Sequence, residues 1–231
     1  MTRVKTHALI ALSIVATAGC TSFSTVRSAE VRPGPGATLQ ASVASPPGDD
    51  AAWFWSFDCA AQCDRSIPAT DVVVDYGRRP PKGPAYTVGV GVAGVHPYAE
   101  AYLQLGSSRR LPFGVGGRVG LPVGSWTEHQ LYGRLDLPLT ARQRLLLNPG
   151  IFYHTGNSPN GANPGSFFGL VQGIGVELDA GGVSLRPAAA VVWGRAERRS
   201  HGQQYGPTTK VFGTASLGVS VHRPRVARAG P

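Results

Sequence analysis

The chain has 231 residues, enough for one sizeable domain with or without an arm. Gly (31) and Pro (19) are abundant while only 15% of residues are charged, which excludes a helical bundle and points to many short strands joined by turns. The formal charge of +9 would suit nucleic acid, but the basic residues are scattered through turns and the two ends with no Lys/Arg run among aromatics, so no nucleic-acid partner is expected.

The chain opens with "MTRVKTHALIALSIVATAGC", where Arg3 and Lys5 precede an apolar run from Ala8 to Val15 and then small residues. This is an export signal, too short for a helical span, which needs about 20 apolar residues. "ATAGC" resembles the lipobox of bacterial lipoproteins, with Thr17 standing where that family prefers Leu. The resemblance implies a signal peptide over 1–19 and acylation of Cys20 with palmitate-type chains. Because Thr21 rather than Asp follows, it also implies delivery to the outer membrane.

Residues 20–50 are rich in Ser, Pro, Gly and Ala without a sustained period and read as a flexible tether. Residues 51–84 carry an aromatic patch (Trp53, Phe54, Trp55, Phe57), Cys59 and Cys63, and the strand-like run "TDVVVDYG" before "RRPPKGP" breaks it. An exported cysteine pair at this spacing forms a local disulfide, and with no His or further Cys nearby no metal site is expected. Whether 51–84 is a cap or an added hairpin stays open at this point.

From Ala85 the period becomes two and holds to His222. "LPFGVGGRVGLPVG" looks like a phosphate loop. Instead it alternates, with Phe113, Val115, Val119 and Leu121 facing one way and Gly114, Gly116, Arg118 and Gly120 the other. "AYTVGVGVAG", "YAEAYLQL", "LYGRLDLPL", "RLLLNPGIFYH", "FFGLVQGIGVEL", "VSLRPAAAVVWG" and "KVFGTASLGVSVH" follow the same scheme. The expected fold is therefore all-β, an antiparallel up-and-down barrel of about eight strands over 85–222, with 223–231 as a tail.

One face of these strands is aliphatic, and the other holds Gly, Ala and Ser with Glu100, Arg118, Arg134, Asp136, Glu177 and Arg186. Three acids and three arginines make sense as an ionic network inside a narrow membrane barrel; the alternative is six solvated charges on a soluble barrel whose aliphatic face binds a small apolar ligand. Alternate connections are short and long, as in small outer-membrane barrels, with "RAERRSHGQQYGPTT" as the last outer loop. Tyr86 and Phe113 would mark one membrane interface and Tyr153, Phe168 and Trp193 the other. Pro149 and Pro187 fall inside strands and demand a bulge or an unpaired carbonyl, and Gln172 falls on the lipid face.

"FYHTGNSPNGANPGSF" is similar to the hairpin of lipid A deacylases, eight-stranded outer-membrane barrels that hydrolyse an acyl ester with a Ser-His-Glu group. The resemblance puts His154 at the base and Asn157 at the following Asn. Gly156 stands in place of the nucleophile, Ser158 is displaced by two residues, and Phe167 stands near the expected Glu, so a loop with Asn-Gly, Asn-Pro and Pro-Gly turns is the favoured reading. Arg195, Arg198, Arg199 and Lys210 suit either lipopolysaccharide phosphates or ordinary solvation. The expectation is thus a lipid-anchored, monomeric barrel inserted in the bacterial outer membrane, structural or interacting at the surface. It has no open channel and no cofactor, and a lipid-modifying hydrolase and a soluble periplasmic barrel are the alternatives.

Overall fold

Ten antiparallel strands close into one barrel in this computed structural model, which describes residues 26–44, 67–93, 96–106, 111–121, 127–156, 165–200 and 203–222. The strands are β1 (Gly34–Ala44), β2 (Ile67–Arg78), β3 (Ala85–Ala93), β4 (His96–Gln104), β5 (Phe113–Gly120), β6 (Thr127–Pro138), β7 (Gln143–Gly156), β8 (Gly165–Asp179), β9 (Val183–Ser200) and β10 (Gln203–His222). Each pairs with its chain neighbours, and β1 closes the ring by pairing with both β2 and β10, for example Ala41 with Thr70 and with Leu217. No sheet edge remains, so every strand finds its backbone partners within the barrel.

The barrel has ten strands, not eight, and the two additional ones lie where a tether and a cap or added hairpin were expected. In β1 the inward residues Thr38, Gln40 and Ser42 are buried while Ala37, Ala41 and Val43 are exposed. The period of two is present, but small residues on both faces give it little hydropathic contrast. The "TDVVVDYG" run forms β2 and pairs with residues 34–44 upstream rather than with a partner inside 51–77. Cys20, Cys59, Cys63 and the aromatic patch lie outside the described residues, as does 223–231. The expected last outer loop is mostly ladder, since β9 and β10 run on to Ser200 and Gln203 with an irregularity between Tyr205 and Thr208.

Pro149 and Pro187 each interrupt a ladder on one side only. Pairing of β6 with β7 stops at Tyr132–Gly150 and resumes in the same register at Leu135–Leu147. Pro149 has no N–H to give there, and Asn148 Nδ2 donates instead to the Gly133 carbonyl at 3.4 Å. Pairing of β8 with β9 is likewise broken between Gly175–Ala188 and Leu178–Leu185, opposite Pro187, while β9 remains continuous with β10.

The aliphatic residues form the outer surface: Val90 is 63% exposed, Leu131 57% and Trp193 50%. Tyr153 and Phe168 pair across β7 and β8, and Trp193 lies opposite Leu170 on β9, giving an aromatic cluster toward one rim. Gln172 is exposed among them, its amide donating to the Gly173 carbonyl at 3.0 Å. The start of β1 and the end of β10 share the opposite rim with the connections after β2, β4, β6 and β8, here called the short-turn end.

Candidate functional site: a threaded polar lumen

The interior is built by the alternate residues of every strand, and it encloses a piece of chain that belongs to no strand. Residues 26–32, "VRSAEVR", run from mid-lumen to the short-turn end before Gly34 starts β1. Val26, Arg27, Ala29 and Val31 are buried. The segment descends past successive residues of β4. Arg27 meets Glu100 near the middle of that strand, the Ala29 carbonyl accepts from Tyr102 Oη at 2.9 Å, and Val31 N donates to Gln104 Oε1 at 2.9 Å.

Polar groups hold this segment on nearly every side. Asn148 accepts from Arg27 N at 3.1 Å and donates back to its carbonyl at 3.2 Å. Asp136 accepts from Ser28 Oγ at 2.6 Å and from Ala29 N at 2.7 Å. Arg32 pairs with Glu177 at 2.7 Å and Asp179 at 3.0 Å, and Glu30 with Arg144 at 2.7 Å. A segment inside a barrel has no sheet ladder to satisfy its backbone, so these side chains replace one. Two inward glycines make the room: a Cβ on Gly173 would lie 2.7 Å from a Val26 methyl, and one on Gly77 would lie 2.1 Å from the Arg32 carbonyl oxygen.

Above Arg27 lies a charged cluster. Arg118 stacks on Tyr98, with its guanidinium carbon 3.8 Å from the ring centre, and pairs with Asp71 at 3.0 Å and Glu100 at 3.8 Å. Tyr98 Oη donates to Asp71, and Arg27 Nη2 reaches Tyr98 Oη at 3.2 Å.

All six ionic residues read from the alternation, Glu100, Arg118, Arg134, Asp136, Glu177 and Arg186, are buried. They are not mutual partners as a set. Only Arg118 and Glu100 pair directly, and Asp136 and Glu177 turn to Arg144, Ser28 and Arg32. Arg134 lies over Tyr102 and Tyr132, 4.5 and 4.6 Å from their ring centres, and donates to Tyr132 Oη at 3.1 Å. Arg186 donates to Thr38 Oγ1 at 3.3 Å. Sequence reasoning missed Arg27, Glu30, Arg32, Asp71 and Arg144; the one signal was the charge density of "VRSAEVR" inside an otherwise Ser/Pro/Gly-rich stretch.

The opposite wall is apolar toward the other rim. Phe167 packs between Phe152, 4.9 Å between ring centres, and Phe212 at 6.4 Å. His154 is buried in register with Glu128 and Phe167, and its ring meets His96 edge-on at 6.4 Å. Phe167 thus faces His154 where the lipid A deacylase pattern calls for Glu. Asn157 and Ser158 lie outside the described residues, as do the side chains of Arg198, Arg199 and Lys210, while Arg195 is exposed opposite Phe168. Among the described residues no group of three or more His, Cys, Asp or Glu could hold a metal ion.

No protein-family model matches the chain, and no curated protein matches it. Among solved structures it is similar to a triple mutant of the Rhodopseudomonas blastica porin, at 5% identity over 83% of this chain and 99% of that one, with a TM-score of 0.17. A second mutant of the same porin gives 5% identity, the same coverage and a TM-score of 0.18. A chain described as "Asymmetric conductivity of engineered proteins" gives 6% identity, 83% and 99% coverage and 0.17. Scores this low carry no argument, and the barrel assignment rests on the strand pairing itself.

Proposed function

We propose that this is an outer-membrane β-barrel protein, lipid-anchored through Cys20, whose role is structural or in surface interaction and whose lumen is closed. The observation that carries the reading is the sorting of side chains: a continuous aliphatic exterior around an interior of paired arginines and carboxylates. A soluble barrel would hydrate that exterior at a cost of about 25 cal/mol per Å² of apolar surface, while acyl chains cover it at no such cost. With Val26 already inside the lumen and β1 beginning at Gly34, the arm following Cys20 is far shorter than a tether to residue 50. Arg195, exposed opposite Phe168 and two residues from Trp193, supports lipopolysaccharide phosphate contact at that rim.

Extraction tests the reading. The full chain should stay with membranes through alkaline carbonate, migrate faster on gels unheated than boiled, and keep both behaviours when Cys20 is changed to Ala, while only the native chain incorporates labelled palmitate. Release of the Cys20→Ala protein into the soluble fraction would favour the soluble barrel instead.

A further inference from the structure

We propose that residues 26–32 are a removable plug and that the barrel emptied of them is a cation-preferring pore, an inference that rests on the membrane reading above. The plug is held chiefly by groups that water can replace. Asp136, Asn148, Gln104, Glu100 and Glu177 all hold it through hydrogen bonds or ion pairs. Water following the segment out would solvate the same groups, whereas an apolar lumen would dewet.

The space belongs to the plug rather than to the wall. An extended strand occupies roughly 5 by 10 Å in cross-section, wide enough once vacated for an ion that keeps part of its hydration shell and exchanges the rest for polar wall groups. Gly77, Gly173 and Gly175 border it and carry no side chain that could fill it. Water already has a place beside the segment, in a polar cavity of about 70 Å³ between Ser28 and Arg32 of the plug and Thr38, Arg134, Glu177 and Arg186 of the wall. That volume holds several waters. Its lining extends to Gly34 and His222 at the short-turn rim.

Charge gives the selectivity. Arg27 faces Glu100 and Asp71, and Arg32 faces Glu177 and Asp179, while Glu30 faces Arg144 and Arg79. Withdrawing the plug removes two positive charges and one negative, and so leaves the lumen as a whole more negative by one. Carboxylates in a narrow lumen concentrate cations and repel anions.

The test uses the full chain in planar bilayers across a potassium chloride gradient, after carbonate-resistant insertion into liposomes has been scored. Two variants displace the plug by different means and leave the wall charges in place: Arg27→Glu with Arg32→Glu, and Gly173→Val, which fills the place of the Val26 methyl. The native chain should open rarely. Either variant, the first by breaking buried pairs and the second by a steric clash with Val26, should raise the open fraction about a hundred-fold, with a reversal potential of cation sign. If the charge pair does not fold, as judged by unheated gel migration, Gly173→Val decides alone. Inserted variants that stay silent, that prefer chloride, or that match the native chain would overturn the plug. Failure of the native chain to insert would instead overturn the membrane reading, and the two failures are told apart by the liposome score.

Discussion

Two walls of one lumen are filled by opposite means. On β2, β4 and β5, Arg118 lies on Tyr98 with Asp71 and Glu100 completing its pairs, and the threaded segment adds Arg27 to the same cluster. On β7, β8 and β10, Phe167 meets Phe152 at a tilt and stacks on Phe212. The aromatic wall is filled by contacts that water cannot imitate, so its removal leaves a void. The ionic wall is filled by groups that water can satisfy, so one of its parts can leave without emptying the site of partners. The lesson is that stability and exchangeability are placed on different strands of one closed sheet.

The largest expected effect falls on the aromatic wall. Phe167→Ala should cost about 3–5 kcal/mol of barrel stability, read as a lower urea midpoint, while trypsin continues to spare the Arg27–Ser28 bond until the barrel unfolds. A smaller effect should fall chiefly on the plug. Asp136 is fully buried and accepts from Ser28, Ala29 and Arg144. Asp136→Asn keeps the shape but weakens those bonds by about 1–3 kcal/mol. Cleavage after Arg27, the one tryptic bond of the segment since Pro33 follows Arg32, should then appear in the native barrel with the urea midpoint little changed. Tyr102→Phe, which deletes only the bond to the Ala29 carbonyl, should cost about 1 kcal/mol and give the same pattern more weakly. If Phe167→Ala exposed Arg27 to trypsin as readily as Asp136→Asn does, the two walls would not be separable.

Eight of the ten strands are legible because Val, Leu, Ile and aromatic residues alternate with Gly and charge from β3 to β10. β1 is not, because Ala, Thr, Gln and Ser give almost no contrast and its place is set by two partners, β2 and β10, far along the chain. The inward direction of Glu100, Arg118, Arg134, Asp136, Glu177 and Arg186 follows from parity alone. Their pairings do not, since Arg27 reaches across 73 positions to Glu100 and Arg32 across 145 to Glu177. A charged seven-residue stretch outside the alternation gives no local sign that it will enter a lumen. What marks it is complementarity to a wall that exists only once the barrel has closed.

The claim beneath all of this is that aliphatic side chains meet lipid and ionic ones meet each other inside. Nitroxide labels placed singly along β6 test it most directly, by their accessibility to oxygen, which dissolves in acyl chains, and to a water-soluble nickel chelate. The barrel in liposomes should show high oxygen and low nickel accessibility at Leu131, which is 57% exposed, and low accessibility to both at Gln130, which is 9% exposed. High nickel accessibility at Leu131 would place that face in water and contradict the account.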